Sequence, residues 1–178
     1  MDAIVLSGAT SLNAVELLAL QRCEVPLVLI GRPAVHIEWP NVSIDNRQGA
    51  RLATRHLIQI GRERIVHLSG PRTQTTMADR ARGYTEEMAD RAKEFVESNG
   101  TPEDGYDKLR QRFDRLPAPN GIFAATDRLA MAALALAADR HLHVPRDVAI
   151  VGFDDIPLAA LLRPSLSTIT QPAHELGS

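Results

Sequence analysis

The architecture this chain predicts is a doubly wound parallel α/β fold, in one sheet or divided over two small lobes. Short apolar runs of strand length alternate with longer stretches of helical period from end to end, the pattern of repeated β-α-β units. Most of the runs stop at glycine, serine or proline, as strands do where they turn. At 178 residues the chain is long enough for a real core.

Ala3-Ile4-Val5-Leu6 is a short apolar run ending at Ser7-Gly8, a strand and its turn. Residues 12–22 then place Val15, Leu18 and Ala19 at helical spacing. A second strand over 25–30 is closed by Gly31-Arg32-Pro33. Residues 34–41 are irregular, with Pro40-Asn41 as a breaker pair, and 42–44 are extended. Asp45 or Asn46 offers a side-chain oxygen to cap a helix over 47–60. That helix sets Ala50, Ala53, Leu57 and Ile60 on one face and Arg47, Arg51 and Arg55 on another, and Gly61 stops it.

A third strand over 64–69 ends at Gly70-Pro71, and a polar loop over 73–76 precedes a helix over about 79–92. Phe95-Val96 makes a short strand before the Asn99-Gly100 turn. Thr101 followed by Pro102 opens the next helix with a hydroxyl cap and proline at its first position, and it runs to Leu116. Residues 121–125 form a further strand, and Asp127 caps an alanine-rich helix to Arg140. Residues 148–151 suit a strand buried on both faces. It stops at Gly152, and Phe153-Asp154-Asp155 follow at once; 157–162 is a helical turn and 166–169 is extended.

The balance of 20 basic and 22 acidic residues gives a net charge of -2 and no pull toward nucleic acid. The single cysteine, Cys23, excludes an internal disulfide, fits a reducing compartment and reads as a small buried hydrophobe. No basic-then-apolar leader opens the chain. Nor does any apolar run approach the roughly 18 residues that a membrane span needs. The expectation is a soluble cytoplasmic protein with no membrane partner.

Candidate chemistry concentrates at two places. Asp154 follows a strand end, where open parallel sheets hold their ligands. Neighbouring residues on an extended chain point to opposite faces, so Asp154 and Asp155 are poorly placed to share a metal or a proton. Ligand hydrogen bonding is favoured over catalysis and over simple turn capping. Arg80 lies at the expected start of a helix, where a guanidinium opposes the helix dipole; a two-pronged ligand contact and a solvated helix start both remain open. His141 and His143 lack a third ligand nearby and are assigned to a loop. No phosphate-loop, dinucleotide or nucleophile-elbow motif is present.

The run Val144-Pro145-Arg146-Asp147-Val148-Ala149-Ile150-Val151-Gly152-Phe153-Asp154-Asp155, with Arg163-Pro164-Ser165-Leu166-Ser167-Thr168-Ile169-Thr170-Gln171-Pro172, resembles the sensor domain of LacI-type (lactose-repressor-like) transcription regulators. So do residues 42–50, 57–61, 65–71 and 122–130 and the Arg80-Ala81-Arg82-Gly83-Tyr84 motif, in the same order. The resemblance implies a periplasmic-binding-protein-like fold of two doubly wound parallel-sheet lobes, with a small effector in the cleft. It assigns residues 1–44 to an incomplete N-terminal lobe, 45–168 to the C-terminal lobe and 169–178 to the start of the return crossover.

By the same resemblance Arg80 anchors the effector, Asp154 binds it with Phe153 alongside, Thr76 and Thr126 line the pocket, and Ser7 ends a strand facing the cleft. Asp127 remains a helix cap. Thr126 stands where many members carry asparagine, and Gly100 where several carry an aromatic. No cofactor or metal is implied. The partners implied are a sugar-like or nucleoside-like effector and a second copy in a homodimer. Residues 158–162 belong to the dimer surface, with core packing as the other reading. DNA would be bound only through a headpiece, which is expected to be missing before Met1. The expected truncation leaves exposed edges and apolar faces in the first lobe, which is then marginal and prone to associate. The function implied is effector sensing by a transcription regulator. A sugar-binding protein of a transport system shares the fold, and an enzyme using Asp154 would need a second convergent acid or base.

Overall fold

The computed structural model describes residues 3–7, 14–22, 25–30 and 39–172. The chain divides into two compact units, Asp45–Gln171 and Met1–Ile44 with Pro172–Ser178. Cys23 lies outside the described residues.

In the smaller unit, β1 (Ile4–Ser7), β2 (Leu27–Ile30) and β3 (Asn41–Val42) form a parallel three-stranded sheet in that order, with α1 (Ala14–Gln21) between the first two in sequence. Leu27 and Leu29 are buried, whereas Val5, Val15 and Leu18 are exposed.

The larger unit holds α2 (Asn46–Gln59), β4 (Ile65–Ser69), α3 (Thr75–Met88), β5 (Glu94–Glu97), α4 (Pro102–Arg115), β6 (Gly121–Ala124), α5 (Asp127–Asp139), β7 (Ala149–Asp154), a 3-10 turn (Pro157–Leu161) and β8 (Ser167–Thr170). Its five strands are all parallel, in the order β5-β4-β6-β7-β8. The unbroken apolar runs lie in the middle of this sheet, where helices cover both faces: β4 and β6 are buried at every position and β7 at every position before Asp154. On one face Val66, Leu68, Ile122, Ala124 and Ile150 pack with Leu109 of α4 and Leu129 and Leu136 of α5. On the other, His67, Phe95 and Phe123 form an aromatic cluster with Tyr84 of α3. Strand order reverses between β4 and β6, the position that opens a crevice at the carboxyl end of a doubly wound sheet.

Local signals account for most helix ends. Asp45 caps α2 by accepting from the Gln48 N–H at 2.8 Å, and Thr101 caps α4 with Pro102 at its first position. Three expectations need correcting. The cap of α5 is Thr126, whose hydroxyl accepts from the Leu129 N–H at 3.2 Å, and not Asp127. Helix α3 starts at Thr75, four residues earlier than expected, because Gln74 makes no side-chain cap that would mark the start. Arg80 therefore sits in its second turn, clear of the positive end of the dipole. Strand β7 continues through Gly152 to Asp154 and does not stop at the glycine. A Cβ at Gly152 would lie 2.2 Å from an Asp127 oxygen, so the glycine admits a neighbouring side chain and does not break the strand.

The three arginines expected on one face of α2 meet α3. Arg47 pairs with Glu86, and Arg51 and Arg55 both pair with Glu87. No described helix is long and apolar enough to cross a membrane.

Candidate functional site

Arg80 and Asp154 come together at the carboxyl end of the five-stranded sheet. Arg80 projects from α3, which follows β4, and Asp154 is the last residue of β7. The guanidinium is buried, and the protein holds it from several sides. Its Nε donates to Asn46 Oδ1 at 2.8 Å, and Nη1 donates to the Ala125 carbonyl, just past the end of β6. Nη1 also approaches Asp154 Oδ1 at 3.4 Å. Beneath it lies the ring of Phe153, 3.6 Å from the guanidinium carbon to the centroid, a cation–π contact in a desolvated setting. That ring also packs on α2 so closely that a Cβ at Gly49 would lie 2.7 Å from it.

Asp154 is presented on unusual backbone. Its φ is 121° and that of Asp155 is 57°, in the half of conformational space that L side chains rarely enter. Strain of this kind costs about 1–3 kcal/mol per residue and tends to cluster at functional sites. Besides Arg80, the Gln171 side-chain amide donates to the same oxygen, Asp154 Oδ1. Among the described residues Oδ2 has no partner, and the carboxyl is partly exposed. Burial pushes the Asp154 carboxyl above the usual carboxylate value; Arg80 and Gln171 pull it down, and Asp127 adds to the rise. Burial likewise draws Arg80 below the usual arginine value, with Asp154 opposing. Asp155 turns away, accepting from the Thr170 hydroxyl at 2.8 Å. The two neighbouring carboxylates do not converge.

The remaining expected site residues fall as follows. Phe153 is wholly buried and supports the guanidinium. Thr76 is half-buried, one turn before Arg80 on the same helix face. Thr126 adjoins Ala125; as a cap its oxygen accepts, which leaves its O–H as a donor. Ser7 ends β1 in the other unit, and its side chain lies outside the described residues.

Sequence reading missed the residues that hold this pair. Asn46 was one of two candidate caps; with Asp45 taking that role, its amide goes to Arg80. Gln171 carried no local signal. Asp127 is wholly buried, and it accepts from the Ile156 N–H at 2.9 Å and from the Thr168 hydroxyl.

Other polar clusters offer less. An open concavity of about 540 Å3 between α3 and β5 includes Arg72, Glu86 and Glu97, but these charges are already paired, Arg72 with Glu97 and Glu86 with Arg47. His143 bonds Asp147 at 3.0 Å, and no group of three metal-ligating side chains occurs among the described residues.

A family model for the periplasmic binding protein-like domain matches residues 54–178. The ribose operon repressor of Halalkalibacterium halodurans is 35% identical over 160 residues, covering 89% of this chain and 48% of the repressor. A regulatory protein of the LacI family from Chloroflexus aggregans superposes with a TM-score of 0.89 at 34% identity, covering 99% of this chain and 65% of that one. A complex of the transcriptional regulator CelR with cellobiose gives a TM-score of 0.86 at 30% identity, over 99% and 56%. The chain thus spans about half the length of the curated relatives it matches. Strand order, fold and sequence agree: the chain belongs to the periplasmic binding protein-like domain family, and it resembles regulators of the LacI family.

Proposed function

We propose that this chain is the effector-sensing core of a LacI-type transcription regulator. It binds a small polyhydroxylated ligand, of sugar or nucleoside class, at Arg80 and Asp154. In the whole protein, ligand binding controls operator recognition by a separate DNA-binding headpiece, through different affinity for two conformations. The observation that carries the reading is the Arg80–Asp154 pair. A guanidinium already held by Asn46, Ala125 and Phe153 loses little freedom when it donates to a ligand oxygen. Beside it, Asp154 Oδ2 accepts a hydroxyl hydrogen. Thr76 and Thr126 add polar lining from α3 and the start of α5. The relatives named for ribose and solved with cellobiose support a sugar.

The site is a binding site and not a catalytic one. Asp154 is partnered by a guanidinium, and its neighbour Asp155 is turned toward Thr170, so the paired acid and base of hydrolytic chemistry are not assembled there. We read the working location as the cytoplasm, and the working form as a homodimer. Leu158 and Leu161 are exposed while Ala159 between them is buried, which excludes core packing for the two leucines. An apolar groove of about 480 Å3 lined by Tyr106, Met131 and Ala135 opens between α4 and α5.

The test is a thermal-shift screen of the chain against D-ribose, other pentoses, hexoses, cellobiose and nucleosides, followed by titration calorimetry of any hit. Ligand at about 100 times its Kd stabilises the native state by about 2.7 kcal/mol, a readily seen shift. Arg80→Lys keeps the charge but loses the fork, and Asp154→Asn tolerates the backbone but loses the charge. Each should weaken binding roughly tenfold or more. A chain that melts cooperatively yet responds to no ligand at millimolar concentration would refute the reading.

A further inference from the structure

Asp127 is a charged group with no exposed surface, and no step of ligand binding yet employs it. It opens α5, and its two oxygens point at the turn that leaves β7. Oδ2 accepts from the Ile156 N–H at 2.9 Å. Oδ1 accepts from the Thr168 hydroxyl, and the Thr168 oxygen in turn takes the Asp155 N–H at 3.4 Å. The two peptide N–H groups that follow Asp154 are therefore tied to one carboxylate, the second directly and the first through Thr168. Gly152 makes the approach possible, since any side chain there would collide with Asp127.

We propose that Asp127 is a positioning residue of the ligand site: by fixing both peptides after Asp154 it holds that residue in its left-handed backbone and aims its carboxyl toward the ligand. The positive φ values at Asp154 and Asp155 are not conformations an unsupported loop would keep. A buried charge accepting two donors is the kind of contact that can impose them, because losing either leaves a desolvated carboxylate short of a partner. The charge acts on Asp154 as well. The charged groups facing Asp154 are Arg80 from α3 and Asp127 from α5, while Asp155 beside it in the chain is turned to Thr170. Of these, Arg80 lowers the carboxyl's affinity for a proton and Asp127 raises it. Asp127 thus influences both the direction and the protonation of the group the ligand would meet, without touching the ligand.

This inference depends on reading Asp154 as the ligand's acceptor, but its test needs no ligand, so either can fail alone. The Asp154 side-chain carboxyl carbon is titrated by NMR in the full chain and in Asp127→Asn, and amide exchange is measured in the same samples. Asp127→Asn is nearly isosteric and removes the charge. The expected result is a lower titration midpoint for Asp154 and exchange of the Ile156 amide roughly tenfold faster or more, as for loss of a hydrogen bond to a charged group. A role confined to packing would leave the Asp154 titration where it was, and that outcome overturns the proposal. Should Asp127→Asn fail to fold, Thr168→Val keeps the charge and cuts the link to Asp155. Faster exchange at Asp155 with unchanged β4 and β5 amides would then support the proposal, and unchanged exchange at Asp155 would overturn it.

Discussion

His67 shows how a single buried residue ties this fold to pH. It sits wholly buried in β4, stacked between Phe123 at 4.6 Å and Tyr84 at 5.3 Å between ring centroids. Its Nδ1 donates to the Phe123 carbonyl at 3.0 Å, since a carbonyl can only accept, and its buried Nε2 has no partner among the described residues. Burial, with Arg80 and Arg72 adding repulsion, lowers its pKa to about 4 from 6.5. Above pH 6.5 the ring is neutral whether the chain is folded or not, and the stability is fully present. Below that, the unfolded chain takes up a proton that the native one refuses. Stability then falls with pH until the native ring titrates too, by roughly 3 kcal/mol in all. Urea melts between pH 7 and 4.5 should show this loss, and His67→Phe should reduce the slope. Equal slopes in the two proteins would mean that carboxylates alone set the acid limb.

At the level of elements, the pairing of α2 with α3 decides where Arg80 points. The Arg80-Ala81-Arg82-Gly83-Tyr84 motif divides its labour: Arg80 enters the site, Gly83 lets α2 come close, and the buried Tyr84 donates to the Ile65 carbonyl at 2.8 Å. Burial pushes that phenol up to about 12, so it stays a donor across the working pH range. A Cβ at Gly83 would lie 2.2 Å from the Arg47 carbonyl oxygen, and backbone cannot yield as a flexible side chain does. Gly83→Ala gains up to about 1 kcal/mol in helix propensity. Overpacking costs about 1–3 kcal/mol and at this separation lies at the upper end. The variant should melt as a protein less stable by about 2 kcal/mol; a melting temperature equal to or above that of the parent would contradict the close approach. Elements of this kind were legible in the sequence because their signals are local: apolar period, Asp45 and Thr101 as caps, Gly61 as a stop. The proposed pair, Arg80 and Asp154, was visible as well, as a motif and a strand end. Their supports were not. Asn46 reaches Arg80 from 34 positions away, Gln171 reaches Asp154 from 17, and Asp127 spans 29 and 41 positions to Ile156 and Thr168. No window along the chain contains such pairs. Gly152 misled for the same reason, since what it accommodates lies on another element.

For the molecule as a whole, apolar surface is unevenly disposed. The larger unit buries apolar side chains on both sheet faces, yet leaves Leu158 and Leu161 on its surface. Because Leu161 is 69% exposed, Leu161→Asp removes almost no internal packing. It should leave the melting temperature within about 1 °C, in keeping with the small effect of surface changes. If those leucines meet a second copy, light scattering should record a lower mass for the variant than for the parent at equal concentration, and equal masses would assign the contact elsewhere. The layering of Gly49, Phe153 and Arg80 reaches further than its size suggests. The guanidinium rests on a ring that is itself fitted to the missing side chain of a helix residue. On the reading proposed above, a screen for folded variants that no longer bind the ligand would return Gly49 together with Arg80 and Asp154. The inheritance of the proposed site thus includes a position that its ligand would never meet.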